Sequence, residues 1–537
     1  LEPEGIISWA RQVMLKHEEA TTIIGPRDPR EFDFADQLPG LAAASLVHCC
    51  RKFNTKNSMV DVFACLVAAL VDLQVGVRRA PYNAEMQLAL CGLYGILSCL
   101  REAEKAFTKL EIKHVQYESV ASHHLLPMLT SSCSTSTATA HLDRLIEFHS
   151  GQVQNVGDSI SLAMEHGNFS KAIEFWKFSE RLKASFSLAA AESERARIQT
   201  RKAIESMLAN GRYELDLGHR CIFQGNKTAF RFNDDLQTRP DWLPPPSSWR
   251  FAKAELWDHL GNPKANWSWW EDIESLDPRS LRHREALVHE LYKSQLAHAS
   301  ILRTCFVLPA DTPEPIENAP SAELQALGLQ GDVQDSHDIG ADSWSDVTLA
   351  LEQITLQTCR LADVLFSRQE ESIGAINEIS KTLIRSIRCV FTFIMNALPD
   401  VVGVFSRVLS VGPSFFNDEV LYLIAVLDKC TRLNRQGKHT TYNVCQSCDG
   451  LVATLKSYLQ ELTEQLKQEH AARKEAGKEI VSLVREKIHK SCTSFSLATF
   501  ESVVKSIIDE KNAAMDELRH TVELRLRQLS KLAALHC

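Results

Sequence analysis

Glycine and proline are scarce in this chain of 537 residues, at 22 and 18. An all-β architecture needs a turn roughly every ten residues, and this supply does not meet that demand. Long hydrophobic runs are missing as well. The best candidate, residues 389–409, is broken by Pro399 and Asp400 and again by Arg407. It is too short to cross ~30 Å of hydrocarbon and reads as a buried core helix. Residues 1–20 carry charge throughout, which excludes a signal peptide there. Nucleotide-binding loops of the G-x-G-x-x-G and G-x-x-x-x-G-K-[ST] types do not occur, nor does a G-x-S-x-G elbow. The zincin pattern fails twice: Thr21 follows His17-Glu18 and Lys293 follows His289-Glu290 where a second histidine is needed. Cationic excess is absent too. The formal net charge is −9, so the whole chain gives no reason to expect nucleic acid, and DNA is not expected as a partner.

What is present is the mix of a soluble folded protein, 45% apolar and 24% charged. The 15 cysteines, among them Cys49, Cys65, Cys91 and Cys99, sit mostly in apolar helical patterns. There they act as small buried hydrophobes, and their odd number favours a reducing, cytoplasmic setting. The chain opens on Leu1 rather than Met, and the expectation is a piece of something longer.

Helix-length, Ala/Leu/Val-rich segments follow one another at 41–53 and 59–75. Leu90, Tyr94, Ala103 and Phe107 then fall at spacings of four, nine and four. That places large and aromatic residues on facing sides of two antiparallel helices, with a small residue at the crossing. This is the tetratricopeptide (TPR) pattern in degenerate form. Gly167, Phe169, Ala172 and Trp176 read as a second copy: glycine ends a helix, the aromatic packs in the turn, alanine sits at the crossing. The expected fold is all-α, an α-α superhelix of TPR-like helical repeats with a C-terminal helical region.

The organisation follows. Residues 1–40 lead into TPR-like repeats over 41–211, whose serine-rich stretch 131–140 is a surface loop or helix start and whose end is a charged helix over 180–210. Residues 212–306 are irregular and rich in Trp and Pro, with a helix from Ser280 to Phe306 and one short strand candidate at Thr228–Phe232. Residues 307–346 are an acidic linker expected to be disordered, and 347–537 a C-terminal helical domain. In that last part Leu455, Leu459, Leu462 and Leu466 draw one apolar stripe, and Val522–Leu535 reads as a final amphipathic helix.

Several residues invite a chemical reading. Gln37-Leu-Pro-Gly40-Leu-Ala42 matches the Q-x-x-G-x-A signature by which acetyltransferases hold acetyl-CoA. Glu31–Asp36 is too polar for the buried strand that must precede it, and Pro39 lacks the N–H that such a cradle uses. A turn before a helix is the better reading. Cys445, Cys448, His489 and Cys492 could supply four zinc ligands, but ordinary cysteines are favoured over a lone C-x-x-C. Lys429, Arg432, Arg435 and Lys438 recur every third residue and are candidate ribosome or phosphate contacts. The plainer alternative has them complete the last turn of a helix that stops at Gly437. Arg195, Arg197, Arg201 and Lys202, interleaved with Glu192 and Glu194, read as a solvated helix face. Trp242, Trp249 and Trp267, in a stretch holding six of the nine tryptophans, are candidate partner contacts. Against that stands an irregular segment pinned to the repeats by its own aromatics, which is favoured. No residue is assigned a catalytic, cofactor-binding or metal-binding role.

Three blocks carry a resemblance. The first is Leu88–Tyr94, Ala103 and Phe107–Leu110, followed by Lys113-His114-Val115-Gln116-Tyr117-Glu118-Ser119. The second runs from Gly167-Asn-Phe169 through Phe175–Phe178 to Ser185. The third is Asn233-Asp-Asp235 with Asp241-Trp242. Together they resemble the auxiliary subunit family of the NatB N-terminal acetyltransferase, persuasively over about 83–245 and more weakly to the end. The resemblance implies a helical horseshoe without catalytic residues of its own. It implies a catalytic NatB subunit as partner, which binds acetyl-CoA and acetylates nascent Met-Asp, Met-Glu, Met-Asn and Met-Gln N-termini. It also implies attachment to the ribosome, in the cytoplasm and away from any membrane. A general TPR-like scaffold for another complex is the alternative, and an enzyme using acetyl-CoA itself is a remoter one.

The charge then has a local source. Residues 309–346 hold nine acids and no Lys or Arg, so the rest of the chain is neutral. The total charge therefore gives no ground for dismissing a ribosome-facing surface.

Overall fold

The computed structural model describes residues 2–26, 28, 30–50, 59–121, 125–126, 129, 136–210, 230–233, 242, 284–285, 287–295, 297, 344–366, 373–397, 412–413, 415–435, 442–488 and 494–536. The linker and most of the Trp/Pro-rich stretch lie outside them. The described residues are helical almost throughout. Their only β-type pairing is one parallel bridge between Ser185 and Arg231, within the strand candidate.

Among the described residues eight helices run through the lead-in and the expected repeat region: α1 (Pro3–Ile24), α2 (Leu38–Cys50), α3 (Met59–Arg79), α4 (Ala84–Ile96), α5 (Leu100–Thr108), α6 (Ser136–Glu165), α7 (Phe169–Lys183) and α8 (Phe186–Asn210). Helix α1 occupies the lead-in segment. Local chemistry sets its ends: Pro3 occupies the first turn, where its missing N–H costs nothing. Gly25 at φ +70° closes it, its N–H bonding the carbonyl of Thr21. Successive helices pack as neighbours from α1 to α5. Leu90, Tyr94, Ala103 and Phe107 are all buried in the α4/α5 pair, as the repeat pattern predicts. Gly76 lets α3 approach closely; a Cβ there would lie 2.8 Å from the Pro39 ring and 2.6 Å from the Met86 sulfur.

Five helices follow: α9 (Trp344–Phe366), α10 (Ile373–Ala397), α11 (Val420–Arg435), α12 (Tyr442–Ile488) and α13 (Ser494–His536). The Leu455–Leu466 stripe of α12 is fully buried. None of the described helices is long and apolar enough to cross a membrane. At 43 residues, α13 is roughly 65 Å long and spans two cores. Phe500, Val503, Val504 and Ile507 join the core of the repeats, while Met515 to Leu532 join the core of α9–α12.

Polar contacts fix α13 against the repeats. Arg78 donates to the Thr499 hydroxyl at 2.9 Å. Cys99, the residue before α5, makes no side-chain cap; the Glu510 carboxylate does so instead, accepting from the backbone N–H groups of Arg101 and Glu102. Lys511 is buried beside them, its ammonium 5.2 Å from the Phe63 ring centre.

The charged face of α8 is solvated only in part: Glu192 and Lys202 are exposed and Arg195 is half-buried, but the other three charges are not at the surface. Glu194, Arg197 and Arg201 are buried, because a π-helical turn (Phe415–Glu419) and α11 and α13 close over them. Arg197 bonds Glu194 at 2.9 Å and Asp418 at 3.1 Å. Burial works against the guanidinium charge, but the two carboxylates outweigh it and hold its pKa above the usual arginine value.

Two histidines set an acid limit. His17 lies buried with Nδ1 2.8 Å from the Ala35 carbonyl oxygen. Burial pushes its pKa below 6.5, aided by Arg79 and opposed by Ala35, Asp36 and Asp33. His141 is lowered in the same way, burial outweighing the Glu104 carboxylate 3.3 Å away. A histidine so depressed binds fewer protons folded than unfolded, so its stabilising contribution is present above pH 6.5 and is lost as pH falls toward the folded pKa. The melting temperature is expected to drop between about pH 7.5 and 5.5, each histidine costing up to about 1.4 kcal/mol per pH unit. Burial raises Asp428, Glu510 and Glu517, which act in the opposite sense. The comparison is therefore between the parent and a His17→Gln/His141→Gln variant, whose pH slope should be shallower. Equal slopes would reject the assignment.

Candidate functional site

Helix α7 is the outlier among the repeats. Asn168 caps it, its side chain accepting from Lys171 N at 3.2 Å, and Gly167 at φ +67° turns the chain into it from α6. It packs inward through Ala172, Ser179 and Leu182. Its substantial helix neighbour among the described residues is α6; α8 also packs on α6, and on α11, rather than on α7.

The outer face is consequently uncovered. Phe169 is 62% exposed, Ile173 53% and Trp176 57%, and they step by four and three along one stripe. Leu162 and Met164, at the end of α6, are exposed as well. This corrects the expectation that Phe169 packs in the turn. The repeat half-matches: its small residue is buried, its aromatics are not. Singly exposed apolar residues need no explanation, whereas a run of this kind marks an interaction site.

Beside the stripe runs an open groove of about 950 Å³, lined by Phe175, Trp176, Phe178, Lys177, Arg181 and Arg231 with the carboxylates of Glu174 and Glu180. The acids are occupied: Glu174 pairs with Lys171 at 2.6 Å and Glu180 with Lys183 at 2.8 Å. Lys177, Arg181 and Arg231 have no acidic side-chain partner among the described residues. The sequence signal for this face was the stripe Phe169-Ile173-Trp176, which lies about a quarter turn from the buried set Ala172-Ser179-Leu182 and so widens the helix's apolar side beyond what α6 covers.

The other candidates fall elsewhere. Lys429 is buried in α11 and Arg432 pairs with Asp428 at 2.7 Å. The side chain of Arg435 and all of Lys438 lie outside the described residues, so no cation ridge is formed by the two that are described. Trp242 is half-buried against the core of the repeats, near which Phe230 and Phe232 also pack. Trp249 and Trp267 lie outside the described residues. Cys448 is buried in α12, while the Cys445 side chain, His489 and Cys492 are outside. Among the described residues no three His, Cys, Asp or Glu side chains gather as metal ligands. Gln37 ends a 3₁₀ turn (Phe34–Gln37) and Pro39 is buried in the first turn of α2; no strand precedes them, which removes the context for an acetyl-CoA cradle.

All three of the resembling blocks meet in space, through Glu118, Ser185 and Asn233. Glu118, on a π-helical turn (Tyr117–Ala121), is fully buried and accepts from Asn233 Nδ2 at 2.8 Å, Ser185 Oγ at 2.5 Å and His149 Nε2 at 2.8 Å. Sequence spacing gave no sign of this junction, which joins residues up to 115 positions apart.

Residues 4–214 match the family described as the N-acetyltransferase B complex (NatB) non catalytic subunit. The N-terminal acetyltransferase B complex auxiliary subunit NAA25 of Arabidopsis thaliana is 28% identical over 224 residues, 41% of this chain and 20% of that protein. The human NatB auxiliary subunit, N-alpha-acetyltransferase 25, is 26% identical over 191 residues, 35% of this chain and 19% of its own. The Schizosaccharomyces pombe N-terminal acetyltransferase B complex subunit arm1 is 23% identical over 196 residues, 36% of this chain and 24% of its own. The match thus spans about a fifth of the length of these relatives.

Proposed function

We propose that this chain, whose residues 4–214 match the family of non-catalytic NatB subunits, serves as an auxiliary subunit that holds a catalytic acetyltransferase. The observation that carries this is the exposed apolar face of α7, which lies inside the matched residues and on which, among the described residues, no second helix packs as it would in a stacked repeat. The chain contributes no catalytic group. Acetyl-CoA is bound by the partner, and the complex works in the cytoplasm at the ribosome on Met-Asp, Met-Glu, Met-Asn and Met-Gln N-termini. Supporting this reading are the match to the non-catalytic family and the auxiliary-subunit relatives.

The test is co-expression with the catalytic NatB subunit of the same organism. One complex should elute on size exclusion, and the complex should sediment with ribosomes. Trp176→Ser with Ile173→Ser should weaken assembly about tenfold or more, since truncating buried interface aromatics costs about 2 kcal/mol or more. Elution of the two proteins apart would overturn the reading. Assembly without sedimentation would remove only the ribosomal part.

A further inference from the structure

The structure assigns a chemistry to the occupant of the α7 face: we propose that it is an amphipathic helix with an apolar stripe and an acidic flank. This rests on reading α7 as the partner-binding face. The argument has three steps. Shape comes first. In the stack from α1 to α5 each inner helix lies between two neighbours, whereas α7 has α6 on one side and nothing described on its stripe. The four-three spacing of Phe169, Ile173 and Trp176 presents the ridge that a second helix packs against.

Charge comes second. Helix α7 carries four cations against two acids, and Arg231 adds another cation at the groove. Both acids lie beside lysines of their own helix, which leaves Lys177, Arg181 and Arg231 to face the occupant. An acidic flank complements them, and a basic one is repelled.

Chemical type comes third. Exposed aromatics beside arginines also suit single-stranded RNA, whose bases stack on aromatic rings. Ile173, Leu162 and Met164 offer no π-face, however, so stacked bases would leave them uncovered. The apolar stripe of an amphipathic helix covers aliphatic and aromatic residues alike, and its acidic flank meets the same cations that a phosphate would.

The experiment uses the full chain and three labelled probes followed by fluorescence polarisation. One is a peptide of about 18 residues with leucines at helical spacing and glutamates elsewhere. The second has lysine in place of every glutamate, and the third is an oligouridylate of similar length. Binding of the acidic peptide at least about tenfold tighter than the basic one is expected, weakening with salt. Lys177→Glu with Arg181→Glu should reverse that preference. These side chains are exposed, so the variant should keep the parent circular dichroism spectrum and melting temperature. Trp176→Ser should weaken both peptides alike. Equal binding of the two peptides, preference for RNA, or a charge-reversed variant that behaves as the parent would each overturn the inference. Assembly with the catalytic subunit is read separately. Retained assembly with no peptide preference sinks this inference alone, whereas peptide preference without assembly sinks the proposed function alone.

Discussion

Arg525→Met is expected to cost about 3–5 kcal/mol of local stability where α8, the Phe415–Glu419 turn and α13 meet. Arg525 is fully buried. It donates to the Phe416 carbonyl at 2.9 Å, to Glu205 Oε1 at 2.6 Å, to Gln528 at 3.1 Å and to Asn417 Oδ1 at 3.4 Å. The partners decide the magnitude. Glu205 is 34% exposed and turns to water once the cation is gone, so its ion pair contributes little to the total. The Phe416 carbonyl and Asn417 are interior and lose a donor that water does not replace, at about 1–3 kcal/mol for each orphaned group. Methionine fills most of the volume, so the cavity is the smaller loss. Arg525→Lys keeps the charge but replaces a planar fork by a single ammonium, and should restore less than half of the loss. Hydrogen exchange is the suitable readout, because a chain of this size need not unfold in one step. Faster exchange in residues 197–208 and 515–532, with residues 84–108 unchanged, is the expected pattern. Uniform protection in the variant would show that the Arg525 contacts do not hold the interface.

Why part of this molecule was legible in its sequence and part was hidden follows from the range of the interactions. Leu90, Tyr94, Ala103 and Phe107 announce an α4/α5 pair because a repeat unit is local: its partners lie within about twenty residues and recur at helical spacing. Leu455 to Leu466 is legible for the same reason. The α8 charges were misread because alternating Arg and Glu looks alike on a solvated face and at a polar interface. Only the approach of Asp418, 221 positions away from Arg197, tells the two apart. Glu510 capping α5 is equally non-local, at a separation of 409. The α7 face misled in the other direction. Its Gly-Asn-Phe and Ala-Trp spacing fits a repeat, and spacing alone does not say whether the neighbour that would bury the aromatics belongs to the same chain.

Glu118→Ala should be the most damaging change in the repeats, at about 3 kcal/mol or more, because one carboxylate serves three donors from three separate segments. His149 Nε2 comes from the middle of α6 and Asn233 Nδ2 from the segment after the Ser185–Arg231 bridge. Ser185 Oγ donates to Glu118 and also accepts from Leu188 N at 3.0 Å, which makes it the cap of α8. Removing the carboxylate therefore frees the α8 cap as well as the α6 contact. It also leaves a buried imidazole whose Nδ1 has no hydrogen-bond partner among the described residues. Glu118→Gln separates charge from shape. An amide has one accepting oxygen, so it serves either His149 or the Ser185–Asn233 pair, and turns a donating NH₂ toward the other; a loss of about 1–3 kcal/mol is expected. Asn233→Ala alone should cost about 1 kcal/mol, since Asn233 is half-buried and water reaches it. Combined with Glu118→Ala it should add almost nothing further, which is the signature of a shared contact in a double-mutant cycle. Additive losses would place Asn233 outside the network. A Glu118→Ala protein within about 0.5 kcal/mol of the parent by urea titration would mean that the three donors find water or other acceptors, and that the junction of α6, α8 and the bridge is held by Phe186 stacked on Phe232 at 4.5 Å instead.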